Sequence, residues 1–202
     1  MAVLPIYLIG SEVLRKVAKP VQTLDNTLIK LAYDMTETMH KAHGIGLAAN
    51  QVGELRRVIV IDFSAVERAE TEEEMEEGEE GPDEPQPQGV QKTLVLINPE
   101  VGETAGAIVM EEGCLSIPDV RADVTRAEAI RINFLDVNLK EVELETGGLL
   151  ARVILHELDH LNGVLFLDHL TRTKRTMLKP AVRKIQKGEV DTSYPVVSAM
   201  EV

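Results

Sequence analysis

The chain has 202 residues, 44% hydrophobic and 27% charged, with a single cysteine. That is enough for one domain with a substantial core; no apolar run approaches the ~20 residues of a bilayer span, and one cysteine forbids an internal disulfide, which agrees with a reducing cytoplasm. The net charge of −13 is mostly local, because residues 67–85 hold eleven acidic side chains against one base and leave only −3 for a nearly balanced remainder.

Residues 1–9 are apolar, but Pro5 interrupts them, no basic region precedes them and no small-residue cleavage site follows, so a signal peptide is not expected. Residues 11–19 read as a short helical turn begun by Ser11 and ended before Pro20. Asp25 has the character of an N-cap. Leu28, Leu31, Ala32, Met35 and Met39 follow at helical spacing up to His43, and Gly44 stops that helix. The β-branched run 57–62 reads as a buried strand. Residues 64–91, acidic and then rich in Gly and Pro, read as a disordered insertion, either a solvated loop between strands or an acidic docking element. Strands are expected at 93–97, 106–110, 120–125, 130–136 and 141–145, the last two joined by a hairpin turn at 137–140. A helix follows at 149–161, ended by Asn162-Gly163. A basic helix near 172–187 carries seven bases and no acid, with a kink expected at Pro180. Strands cluster in the middle and helices near the ends, without β-α-β alternation. The expected class is α+β, mostly antiparallel strands packed around a buried helix, in a single domain over 1–202.

The sharpest chemical signal is His156-Glu157-Leu158-Asp159-His160. Positions i and i+4 share one face of a helix, so both imidazoles can reach one metal ion, and Glu157 lies near enough to take a proton from a water there. The bland alternative is an amphipathic helix with two incidental histidines. Against it, the helix is apolar nearly all round, with Leu149, Leu150, Val153, Ile154, Leu155, Leu158 and Leu161. A third ligand has to come from elsewhere. In the metzincin protease pattern it would fall on Phe166, which cannot ligate, and the downstream glutamate of gluzincins is missing, since no acid follows Asp168 until Glu189. Cys114 is the best candidate, because a thiolate suits a borderline-soft metal; its alternative is a small buried hydrophobe.

Three motifs now stand in order: Gly44-Ile45-Gly46-Leu47-Ala48-Ala49-Asn50-Gln51, Glu112-Gly113-Cys114-Leu115-Ser116, and His156-Glu157-Leu158-Asp159-His160. Together they resemble the peptide deformylase family, over roughly residues 3–170 and interrupted by the acidic insertion. The resemblance implies a metal-dependent hydrolase that removes formyl from the N-terminal methionine of nascent polypeptides and releases formate. It implies that Cys114, His156 and His160 hold one divalent metal with water completing the set. Glu157 would carry the proton, and the Gln51 amide and Leu115 N–H would stabilise the oxyanion. It suggests a methionine pocket from Ile45, Met110, Leu149, Val153 and the His156 ring. The backbone at Gly44, Gly46 and Gly113 would lie along the peptide, and Arg121 would stand at the cleft mouth. The implied metal is Fe2+, with Zn2+, Ni2+ or Co2+ compatible. The expected partners are N-formyl-methionyl nascent chains and, through the basic helix, ribosomal RNA, with neither membrane nor DNA. Arg152 needs a partner inside an apolar helix, and Asp159 is expected to orient a neighbouring base. The competing functions are a zincin-type metalloprotease, which would not need Cys114, and a non-enzymatic binding module, which would need neither Glu157 nor Gln51.

Overall fold

The computed structural model describes residues 2–76 and 92–200. Nine strands and four α-helices follow one another: β1 (Ile6–Tyr7), α1 (Asn26–Lys41), β2 (Gly46–Ala48), β3 (Val58–Asp62), α2 (Phe63–Glu76), β4 (Thr93–Ala105), β5 (Ile108–Cys114), β6 (Ile117–Arg126), β7 (Ala129–Leu135), β8 (Glu141–Gly147), α3 (Gly148–Leu161), α4 (Arg172–Gln186) and β9 (Val196–Val197). The α+β expectation holds. Five strands form an antiparallel sheet in the order β2-β3-β4-β7-β8, and β5-β6 make a separate antiparallel pair. The short β1-β9 pair is parallel and joins the two ends of the chain; neither strand is legible in sequence.

The main sheet is covered on both faces, which explains why β3 reads as a continuous apolar run. Its alternate residues divide between two cores. Ile59 and Ile61 join Ala151, Val153 and Ile154 of α3, while Val58 and Val60 join Leu28, Met35 and Met39 of α1. α1 begins as expected, with the Asp25 carboxylate accepting from the Leu28 N–H at 2.7 Å. It ends at Lys41, two residues before His43, and the Gly44 N–H returns to the Met39 carbonyl at 2.9 Å. A third core packs β6 and the 166–170 region under the apolar side of α4.

The structure corrects two expectations. Disorder from residue 64 does not hold at its start, because α2 runs from Phe63 to Glu76. Asp62 caps it, accepting from the Ala65 N–H at 3.0 Å, and Val66 is fully buried against the main core. Glutamate and alanine are good helix formers, and one buried valine anchors the first turns, a tertiary contact that composition conceals. Residues 77–91 of the expected insertion lie outside the described residues. The strand expected at 93–97 continues to Ala105, since register shifts after Ile97 and Val101 absorb Asn98-Pro99. α4 runs from Arg172 to Gln186 with Pro180 inside it.

α3 is the element that places the chemistry. It leaves β8 through Gly148 at φ 56°, a left-handed turn that glycine adopts without strain. At its far end Gly163, at φ 74°, sits against the Arg15 backbone, where an added Cβ would lie 2.5 Å from the carbonyl oxygen. Among the described residues no helix is long and apolar enough to cross a membrane.

Candidate metal centre

α3 presents His156 and His160 on one face, with ring centroids 5.1 Å apart. β5 brings Cys114 to the same point from 46 residues away, with Sγ 3.1 Å from His160 Nε2. The ligand atoms of Cys114, His156 and His160 all lie within 4.8 Å of one another, the one such group among the described residues. Four donors around one ion at bond lengths of ~2.0–2.3 Å sit about 3.5 Å from each other, so this spacing suits a metal. Phe166 stacks on the His156 ring, with centroids 6.1 Å apart, and so supports one of the clustered imidazoles.

Glu112 organises the site from behind. It accepts from Arg126 Nε at 2.6 Å, Arg126 Nη2 at 3.0 Å and Arg152 Nη1 at 2.8 Å, and its Oε2 meets His156 Nδ1 at 2.9 Å. These side chains are nearly fully buried. Burial acts to raise Glu112, but the bonds from His156 and Arg126 outweigh it and hold the carboxyl well below the ordinary range. Glu112 therefore fixes the His156 ring and turns Nε2 toward the cluster. Burial acts to lower His156, yet the Cys114 and Glu112 side chains overcome it and hold a proton there up to about 10. This pocket attracts positive charge, which a cation would satisfy. Burial, with His156 beside it, keeps His160 well below the usual imidazole value, so its lone pair is free to ligate.

Glu157 is buried, and its Oε2 has no partner among the described residues. Burial pushes its carboxyl up to about 7. A carboxyl of that kind is suited to taking up and returning a proton near neutrality. Gly46 stands directly against it: an added Cβ would lie 2.6 Å from Glu157 Oε1 and 2.8 Å from Val153 Cγ1. Gln51 is fully buried in the 3-10 turn Ala49–Val52. Its Oε1 accepts from the Ala48 N–H at 2.8 Å, which points Nε2 at Cys114 Sγ (3.5 Å) and Ser116 Oγ (3.3 Å).

These groups open into a cavity of about 570 Å³. Gly44, Ile45, Gly46, Gln51, Gly113, Leu115, Arg121, Leu149 and Val153 all line it. Met110 does not. It shares the inward parity of Glu112 and Cys114 along β5 and lies nearer the strand's start, opposite Val124. Arg121 stands at the mouth, exposed, 3.6 Å from Glu111.

A sequence model described as polypeptide deformylase matches residues 3–176. The chain belongs to the peptide deformylase family. It is 46% identical to the peptide deformylase of Salinibacter ruber, across 97% of this chain and 95% of that protein. With the Mesorhizobium japonicum peptide deformylase the identity is 43%, across 94% and 96%. Among solved structures, a Legionella pneumophila peptide deformylase superposes with a TM-score of 0.77 at 37% identity, covering 93% of this chain and 98% of that one. The Thermus thermophilus peptide deformylase gives 0.76 at 33%, covering 93% and 100%. As a peptide deformylase the protein is a metal-dependent hydrolase, and the Cys/His/His cluster is its candidate metal site.

The deformylase site holds groups that motif reading passed over. Glu112 lay inside a quoted motif, and its parity with Cys114 along a strand was the available signal. Arg126 had no local mark; its Nη1 bonds Asp159 Oδ2 at 2.7 Å, and His169 Nε2 meets the same oxygen at 2.7 Å. Arg152 thus finds its partner in Glu112, and Asp159 does orient a base. Removing the orienting carboxylate without changing its shape should weaken the metal site: Glu112→Gln is expected to lower metal affinity by roughly 10–100-fold, as read by competition with a chelator of known affinity. Unchanged affinity would show that Glu112 only fills space.

Proposed function

We propose that the chain deformylates N-formyl-methionyl peptides with Cys114, His156 and His160 as metal ligands and Glu157 as the proton carrier. The observation that carries this is a sulfur and two imidazole nitrogens within 4.8 Å of one another beside a buried carboxylate. A bound divalent cation supplies Lewis acidity, acidifying water and polarising the formyl oxygen. Glu157 takes the proton of the attacking water and delivers it to the departing amine nitrogen as the formamide C–N bond breaks, leaving formate and a free α-amine. Gln51 Nε2 and the Leu115 N–H donate to the oxygen that gains negative charge. Ile45, Leu149 and Val153 surround the methionine side chain. β2 is an edge strand and β5 belongs to a separate pair, so the cavity lies between two strand edges, and an extended peptide can pair with backbone near Gly44, Gly46 and Gly113. Arg121 meets the peptide further along.

The test is formate release from an N-formyl-methionyl peptide by protein purified without oxygen and loaded with metal. Release establishes the reaction; none from fully loaded protein, with cleavage of an internal peptide bond instead, would favour a zincin-type protease. The oxyanion role has its own signature. Gln51→Leu is expected to lower kcat by ~10²–10³ with little change in KM, because the donor acts where charge develops. An unchanged kcat would remove Gln51 from the chemistry.

Fe2+ is the proposed cellular metal, and a soft sulfur with two imidazoles is equally compatible with Zn2+, Ni2+ or Co2+. With iron, Cys114 would be open to oxidation, hence the anaerobic preparation. The proposed compartment is the cytoplasm, and residues 1–202 act as one catalytic domain. The bases of α4 are all exposed, while Leu178, Val182 and Ile185 face the core. This supports a ribosomal RNA contact. Lys179→Glu with Arg183→Glu should weaken co-sedimentation with ribosomes and flatten its salt dependence; unchanged sedimentation would discard the contact.

A further inference from the structure

The C-terminal segment takes part in the site, which no motif announces. Residues 191–194 form one wall of the catalytic cavity. They are held there by β9, which pairs with β1 through the Ile6 N–H to the Pro195 carbonyl and the Leu8 N–H to the Val197 carbonyl, both 2.9 Å. The continuation of β1 reaches the centre itself, where the Ile9 N–H donates to the Ser116 carbonyl at 2.9 Å. From this anchored wall the half-buried Tyr194 sends its hydroxyl to the Leu115 carbonyl at 2.9 Å, across 79 residues of sequence. Thr192 Oγ1 in turn donates to the Tyr194 carbonyl at 2.9 Å and fixes the local turn.

Leu115 and Ser116 form the short turn between β5 and β6, where the strand register shifts after Gly113. The Leu115 carbonyl belongs to the central peptide of this turn, the unit free to flip, and the Leu115 N–H lies across the same Cα, so holding the carbonyl selects one turn geometry and narrows the directions open to that N–H. We infer that Tyr194 is a positioning residue that locks the Leu115–Ser116 turn from outside and so aims the Leu115 N–H at the developing oxyanion. This rests on the reading of Leu115 as an oxyanion donor. Ser116 Oγ is held from within by Gln51, so the turn is gripped on two sides, by the other proposed oxyanion donor and by the C-terminal wall. Donors of this kind work only when they are already aimed before charge develops, and a small loosening costs rate instead of binding.

The test uses the full, zinc-loaded chain and Tyr194→Phe, which keeps the ring and removes only the hydroxyl. The expected result is a kcat lower by about 3- to 10-fold, the scale of one hydrogen bond, with KM within about twofold and one zinc per chain. The 15N order parameter of the Leu115 amide should fall from the rigid range near ~0.85 toward the flexible range. An unchanged order parameter with unchanged kcat would overturn the proposal. A lowered order parameter with unchanged kcat would also overturn the positioning role, and would place the fault in the oxyanion assignment of Leu115, not in the Tyr194 contact. Loss of zinc together with activity would reduce Tyr194 to a structural part.

Discussion

Glu157→Gln should lose on the order of 10²–10⁴ in kcat/KM while still binding one metal per chain. The substitution keeps the shape of a side chain that fits against Gly46 with almost no room to spare. It leaves the three proposed ligands and the Glu112 brace untouched. What disappears is the group able to take a proton and return it. The same change should stabilise the metal-free protein. Glu157 is buried, and burial lifts its carboxyl from 4.5 to about 7. A folded-state value above the unfolded one means that the unfolded chain gives up this proton first, so the group's contribution is complete below the ordinary carboxylate range and is lost as pH rises through about 7. The Tm difference between Glu157→Gln and the parent, both without metal, should therefore be near zero at about pH 4 and grow toward about pH 8, as read by thermal unfolding across that range. A Tm difference that does not change with pH would contradict the burial argument, and retained activity would remove Glu157 as the base.

Cys114→Ala should remove the metal and, with it, all formate release. Two histidines on a helix can touch a cation, but a stable site at this centre needs the third donor, and the sulfur brought in by β5 is the one in reach. The measurement is metal content after dialysis against a weak chelator, beside thermal unfolding with and without metal. The parent should gain stability on metal addition, about 2.7 kcal/mol at a hundredfold excess over Kd, and the variant should gain little. Without metal the two should unfold alike if the cysteine's task is ligation. Cys114 also packs against the third core, so an equal loss of stability with and without metal, the metal-induced gain being kept, would restore the reading of a small buried hydrophobe.

The helix with the two histidines, Asp25 as a cap, the buried strand and the run of strands through the middle of the chain were all legible, because each depends on local periodicity or on one capping residue. The cysteine that meets the two histidines was legible only through its motif, since nothing in the spacing joins Cys114 to α3. The network of Glu112, Arg126 and Arg152 escaped for the same reason: a buried charge network is made by packing a β-pair against a helix, and a sequence shows each charge alone. Met110 was placed by the resemblance alone, because strand alternation gives its side of the sheet but not how far along β5 the cavity reaches. α2 was hidden by composition, since a run of glutamates reads as solvated until one valine and one aspartate cap tie its start to the core. The part played by Tyr194 depends on a two-residue parallel pairing between the chain's ends, which leaves no pattern at all.

X-ray absorption at the zinc edge of the loaded, full-length protein tests most directly whether a strand cysteine completes the helix's two histidines. The expected coordination is one sulfur at ~2.3 Å with two nitrogens at ~2.0–2.1 Å, and the sulfur should vanish in Cys114→Ala. A parent spectrum with nitrogen and oxygen alone would contradict the ligand set and send the search for the third donor elsewhere in the cavity.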